Sequence, residues 1–205
     1  SYATQLTSMG FGVLCLDMLG FGERRGKAES EIFKELLWKG QVMWGRMIYD
    51  NICALDYVTT RDDVDSSRIA ALGMSMGGLM AWWLSALDER VKVCVDIAAQ
   101  VDAETLVANR GLDHHGFYSY VPSLLKYFRT SDIQRLIAPR HHLSVIGNDD
   151  KLTPFEGLGI IDEELKAEYE KIGVPEHWKM VRYECGHIET AGMRAEVCSF
   201  LQNYL

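Results

Sequence analysis

Gly73-Met74-Ser75-Met76-Gly77-Gly78 lies between two apolar stretches of different character. Ile69-Ala70-Ala71-Leu72, just before it, has the length and composition of a buried strand. Leu79-Met80-Ala81-Trp82-Trp83-Leu84-Ser85-Ala86-Leu87, just after it, reads as a buried helix. A chain that passes from strand to helix through Gly-x-Ser-x-Gly must turn sharply at the serine. The expected reason for the glycines is steric, since side chains at 73 and 77 would collide where strand and helix come close. Such a turn lifts Ser75 Oγ to the carboxyl end of a sheet, with a helix N-terminus beneath any negative charge formed there. This is the context of a nucleophile elbow. The plain alternative is a glycine-rich turn with an idle serine.

The rest of the chain calls for a sheet that could carry such an elbow. Val13-Leu14-Cys15-Leu16-Asp17 reads as a buried strand, followed by a glycine-punctuated loop from Leu19 to Gly26. Glu29–Leu37 and Gln41–Thr60 read as amphipathic helices, the second with Val42, Ile48, Ile52, Leu55 and Val58 on one face. Further strands are expected at Val91–Ala98, Leu143–Ile146 and Trp178–Tyr183, and further helices at Phe155–Ile172 and Thr190–Leu205. Alternating strands and helices imply an α/β fold with a mainly parallel sheet and helices on both faces. At 205 residues with no linker or repeat, a single domain over residues 1–205 is expected. Residues 100–141, broken by Gly111, Gly116 and Pro122, form its irregular part and a candidate lid or pocket segment.

Bulk properties narrow the function classes. A formal net charge of −8 without a Lys/Arg cluster argues against nucleic acid as a partner. No apolar run approaches the roughly 18 residues that span a bilayer, so no membrane partner is expected. Five scattered cysteines (15, 53, 94, 185 and 198) without Cys-x-x-Cys spacing fit a reduced, cytoplasmic protein. Cys15 and Cys94 lie in apolar runs and are expected to act as small buried hydrophobes.

Three successive strand exits carry Ser75, then Asp149 and Asp150, then His187. Serine is a poor nucleophile at neutral pH until a base takes its proton, and that base needs an acceptor on its other ring nitrogen. Ser, Asp and His in that chain order, each after its own strand, suit an α/β-hydrolase sheet. His141-His142, directly before a strand, read as a surface or strand-edge feature, and His177 as surface. His114-His115 are candidates for the pocket wall. Glu23 and Arg24 follow a strand exit and are candidates to reach the site, an exposed or structural ion pair being the simpler reading. No third convergent ligand supports a metal site, so none is expected.

The chain resembles the α/β-hydrolases, closest to their dienelactone-hydrolase-like and acetyl-xylan-esterase-like branch. The resemblance rests on Asp17-Met18-Leu19-Gly20-Phe21-Gly22-Glu23-Arg24, Ala54-Leu55-Asp56-Tyr57, Asp65-Ser66-Ser67-Arg68-Ile69 and the Gly73–Gly78 turn. Gly147-Asn148-Asp149-Asp150-Lys151-Leu152-Thr153-Pro154 and Cys185-Gly186-His187 complete it. It implies a serine esterase or deacylase without metal or organic cofactor, with Ser75 where dienelactone hydrolases proper carry cysteine. The family's Gly-x-x-Asp-x-x-x-Pro pattern selects Asp150 as the orienting acid, Asp149 being the alternative. It also implies two oxyanion donors: the Met76 N–H, and a second N–H from a loop after an earlier strand. No His-Gly pair follows an amino-terminal strand here, so the expectation is either that the chain lacks the amino-terminal strands of the family's sheet or that the hole is completed differently.

The resulting expectation is a serine hydrolase that cleaves a small-molecule ester through an acyl-enzyme, able to form homo-oligomers. Ser75 attacks, His187 carries the proton and Asp150 orients His187. A peptidase or amidase on the same fold, and a non-catalytic binding protein of this fold, are the rival readings.

Overall fold

The computed structural model describes residues 1–205, which form two compact units. One unit comprises Ser1–Ser66 with Gly116–Pro122, the other Ser67–His115 with Ser123–Leu205.

The first unit contains α1 (Tyr2–Ser8), α2 (Glu29–Trp38) and α3 (Met43–Thr59). Its core forms on α3, where Met43, Trp44 and Met47 are fully buried and Ile48 and Leu55 nearly so. Of the apolar stripe expected along this helix only Ile48 and Leu55 are buried, while Val42, Ile52 and Val58 are half-buried; Trp44 and the two methionines supply the rest of the core. Tyr118 packs its ring against Trp44, with centroids 5.7 Å apart, and Phe117 packs against Phe33 at 5.6 Å. Arg24 pairs with Asp50 at 2.7 Å, whereas Glu23 engages the loop through its backbone N–H, which donates to Asp17 Oδ2 at 2.9 Å.

Val13–Asp17 departs from expectation. The segment is exposed and forms no strand, with Leu14 at 54% exposure and Cys15 exposed as well. An apolar run becomes a strand only when a neighbour takes up its N–H and C=O groups. The one sheet of the structure is built from four other segments and does not include it. Composition recorded a tendency to be buried; pairing decides whether a strand forms.

The second unit carries that sheet, and its elements in chain order are β1 (Ile69–Met74), α4 (Met76–Leu87), β2 (Val91–Ile97) and α5 (Ala103–Ala108). The short helices α6 (Leu124–Tyr127) and α7 (Thr130–Gln134) precede β3 (His141–Gly147), α8 (Phe155–Lys171), β4 (Trp178–Tyr183) and α9 (Ala191–Tyr204). The strands lie in the order β1-β2-β3-β4, every neighbouring pair parallel. On β2, Val93, Val95 and Ile97 are fully buried, and so are the alternate residues Cys94 and Asp96. Successive side chains point to opposite faces, so both faces of this strand are covered. Trp82 and Ala86 of α4 cover the Cys94 face together with Ile133 and Ile137. Ile161, Leu165 and Tyr169 of α8 pack on Trp178 of β4.

Asp96 makes the centre of this sheet polar. Its Oδ2 accepts from His142 Nε2 at 2.7 Å and from Gln100 Nε2 at 2.9 Å, and its Oδ1 accepts from Ser144 Oγ at 2.9 Å. Gln134 Nε2 donates in turn to Gln100 Oε1 at 2.7 Å. All five side chains are fully buried. A carboxylate inside a dry sheet is tolerated only when its oxygens are satisfied, and here each has a donor. His142 is therefore no surface or strand-edge residue. Burial alone would disfavour its imidazolium, but Cys94 and Asp96 beside it reverse the balance and push its pKa up to about 10. His177 is not plain surface either. It is half-buried, its ring 3.8 Å from that of His141, with Nδ1 donating to the Pro139 carbonyl at 2.6 Å.

Candidate active site

Ser75 is the single residue between the end of β1 and the start of α4. It sits at φ 54°, a conformation that a non-glycine residue adopts only when its surroundings enforce it. Two hydrogen bonds do so: the Ser75 N–H donates to the Ile97 carbonyl at 2.8 Å, and the Leu79 N–H donates to the Ser75 carbonyl, also at 2.8 Å. The first ties the elbow to β2 and the second starts the helix.

The glycines act somewhat differently from expectation. A Cβ on Gly73 would lie 2.1 Å from the Gly77 carbonyl carbon, so strand and helix do meet there. A Cβ on Gly77 would meet nothing within 4 Å. The second crowded position is Gly78, where a Cβ would fall 2.6 Å from Ala99 Cβ and 2.9 Å from the Gly73 carbonyl oxygen. Gly73 approaches the backbone of Gly77, whereas the missing side chain of Gly77 itself points away from the strand.

β3 delivers the acid. Gly147 ends the strand at a point where a Cβ would lie 2.1 Å from the Cys185 carbonyl oxygen, so the exits of β3 and β4 are in backbone contact. The Asp149 N–H donates to that same carbonyl at 3.0 Å. Asp149 itself is exposed, while Asp150 is 3% exposed. Asp150 Oδ1 accepts the Leu152 N–H at 2.9 Å, and Oδ2 lies 2.7 Å from His187 Nδ1. His187 Nε2 lies 2.8 Å from Ser75 Oγ.

Chemistry assigns the protons along this line. An ionised carboxylate only accepts, so Nδ1 carries the hydrogen and donates to Asp150. Nε2 then presents its lone pair and accepts from the Ser75 hydroxyl. The structure thus brings Ser75, His187 and Asp150 into one hydrogen-bonded chain and leaves Asp149 outside it. Met76 is the first residue of α4, and the first N–H groups of a helix have no carbonyl partner within it.

His115, one of the two histidines named as pocket-wall candidates, makes a bond here that the residue pattern alone does not predict. It is half-buried, and its Nε2 donates to the Leu152 carbonyl at 2.9 Å. Burial pushes its pKa below the ordinary histidine range, and its surroundings include both Asp150 and His187. The backbone bond it makes carries no sequence signal. No group of three or more His, Cys, Asp or Glu side chains is arranged to hold a metal ion. No helix is long and apolar enough to cross a membrane.

Comparison with known proteins agrees with this architecture. Residues 1–182 match the prolyl oligopeptidase family, a span that includes Ser75 and Asp150 and ends just before His187. Across all 205 residues the chain is 57% identical to "Putative hydrolase YtaP" of Bacillus subtilis (strain 168), covering 69% of that protein. A Bacteroides fragilis structure described as "a putative acetyl xylan esterase" superimposes with a TM-score of 0.72 at 18% identity, over 89% of this chain and 49% of that one. A glucuronoyl esterase from Solibacter usitatus superimposes with a TM-score of 0.64 at 16% identity, over 76% of this chain and 47% of that one. The chain thus spans about half the length of these two solved structures, and at such identities the likeness speaks for the α/β-hydrolase fold. With most of its length matched, the chain belongs to the prolyl oligopeptidase family of serine hydrolases.

Proposed function

We propose that the protein hydrolyses a small carboxylic ester, or a similar acyl bond, through an acyl-enzyme formed on Ser75. The observation that carries this reading is the 2.8 Å approach of Ser75 Oγ to His187 Nε2, with Asp150 Oδ2 2.7 Å from the other ring nitrogen. Ser75 Oγ adds to the acyl carbon while His187 Nε2 takes its proton. Asp150 holds the ring in the Nδ1–H tautomer and stabilises the imidazolium. Negative charge then develops on the former carbonyl oxygen, where the Met76 N–H and the N-terminus of α4 oppose it. Collapse expels the alcohol, which takes the proton back from His187. A water molecule, deprotonated by the same nitrogen, attacks the acyl-enzyme and releases the acid.

Esters are favoured because the superimposing structures include a glucuronoyl esterase and one described as a putative acetyl xylan esterase. A peptidase is the second reading, favoured by the family's name. Five free cysteines support a reducing compartment, the cytoplasm. A fluorophosphonate probe tests the chemistry without knowledge of the substrate. Labelling should map to Ser75, and its absence, or labelling at another residue, overturns the reading. Comparing 4-nitrophenyl acetate with a prolyl peptide nitroanilide separates the two bond types: faster cleavage of the anilide favours the peptidase.

A further inference from the structure

We infer that His115 is a positioning residue for Asp150, and through it for the His187–Ser75 pair; the inference rests on the function proposed above. The argument begins with the turn that carries the acid. Asp150 lies in a non-helical stretch between β3 and α8. Within that stretch the Asp150 carbonyl accepts the Thr153 N–H at 3.1 Å, and Asp150 Oδ1 accepts the Leu152 N–H at 2.9 Å. Both bonds are internal to the turn, so they shape it without fixing where it sits. At its start the stretch is tied to the exit of β4 by the Asn148 and Asp149 N–H groups, which donate to the Tyr183 and Cys185 carbonyls; beyond Asp150 the external tie comes from His115, distant in sequence, which donates its Nε2–H to the Leu152 carbonyl at 2.9 Å.

Leu152 is therefore held by His115 at its carbonyl while its N–H holds one oxygen of Asp150. The other oxygen is left to face His187 Nδ1 at 2.7 Å. The bond-by-bond sequence runs His115, Leu152, Asp150, His187, Ser75. Nε2 can donate only if it carries a hydrogen, which the neutral ring provides. Burial favours that neutral form, so no second positive charge competes with His187 for the carboxylate. An error of about 1 Å in a catalytic group can cost on the order of 10²-fold in rate, so an anchor at this distance from the chemistry has kinetic weight.

His115→Leu removes the donor at similar volume. His115→Gln restores an N–H donor at nearly the same reach. On 4-nitrophenyl acetate, His115→Leu should lower kcat roughly tenfold to hundredfold while KM stays within about twofold. His115→Gln should recover kcat to within about threefold of wild type. In an Asp150→Asn background, adding His115→Leu should cost less than about twofold, since the positioned carboxylate is already gone. A purely structural role predicts instead that the two losses multiply and that Gln rescues no better than Leu. Either result, or an unimpaired His115→Leu variant, overturns the inference.

A second readout needs no turnover. The His187 Nδ1–H bonded to Asp150 should give a low-field proton resonance in the intact protein. That resonance should shift or vanish in His115→Leu and persist in His115→Gln. If wild type proves inactive, the ester reading fails and this resonance alone decides. An insensitive resonance, or none in wild type, rejects the positioning role.

Discussion

Asp150 and Asp149 are neighbours in sequence, yet Asp150 is buried with Oδ2 2.7 Å from His187 Nδ1, while Asp149 is exposed. The exit of β3 explains the difference. The Asp149 backbone is committed to the Cys185 carbonyl, and the turn that follows carries the next side chain inward. Asp150→Asn would let His187 take the wrong tautomer and should lower turnover on a short-chain nitrophenyl ester by on the order of 10³- to 10⁴-fold. Asp149→Asn should stay within roughly threefold of wild type. Equal losses from the two would show that the geometry does not select the acid.

The elbow glycines form a graded series. Gly73→Ala drives a Cβ into the Gly77 backbone, and Gly78→Ala drives one into Ala99, whereas Gly77→Ala enters open space within a helix. The first two should destabilise by about 1–3 kcal/mol or more through overpacking. The third should be neutral or slightly stabilising, because alanine is the better helix former. Thermal unfolding of the three variants checks the order. A Gly77→Ala protein less stable than Gly73→Ala would contradict the packing described here.

The buried His142–Asp96 pair predicts a pH signature of stability. The folded-state pKa of His142 is raised to about 10, above the ordinary value near 6.5 that it regains on unfolding. A raised pKa means that the folded state holds the proton more tightly. The contribution is fully present below about pH 6.5 and is lost as pH rises towards 10, with a slope of at most about 1.4 kcal/mol per pH unit. Chemical denaturation across that window should show wild type losing stability faster than His142→Gln. Parallel curves would mean that the pair does not exchange a proton on unfolding.

Much of this was legible from the residues. Ser75, Asp150 and His187 each sit just after a strand with a clear apolar pattern, and a parallel sheet gathers strand ends at one edge. Those three strands appear in the structure close to where the pattern put them. Val13–Asp17 shows the limit, because apolar composition says nothing about which segment will supply hydrogen-bond partners. His142 was misread because a histidine at a strand start is equally compatible with an edge and a core. The missed signal was Asp96, a lone carboxylate inside Val91–Ile97 that could not be buried without donors nearby. His115 is legible as a pocket-wall candidate, but the bond it makes is not. Its partner is a backbone carbonyl, which every residue type offers alike.

Turnover of the Ser75→Ala protein tests the central claim most directly. The substitution removes one oxygen and none of the backbone bonds from Ile97 and Leu79 that hold the elbow, so the fold should survive. With 4-nitrophenyl acetate as substrate and unfolding temperature as the control, kcat should fall by several powers of ten while the unfolding temperature stays close to wild type. A folded Ser75→Ala protein that keeps more than about a tenth of wild-type turnover would show that Ser75 is not the nucleophile.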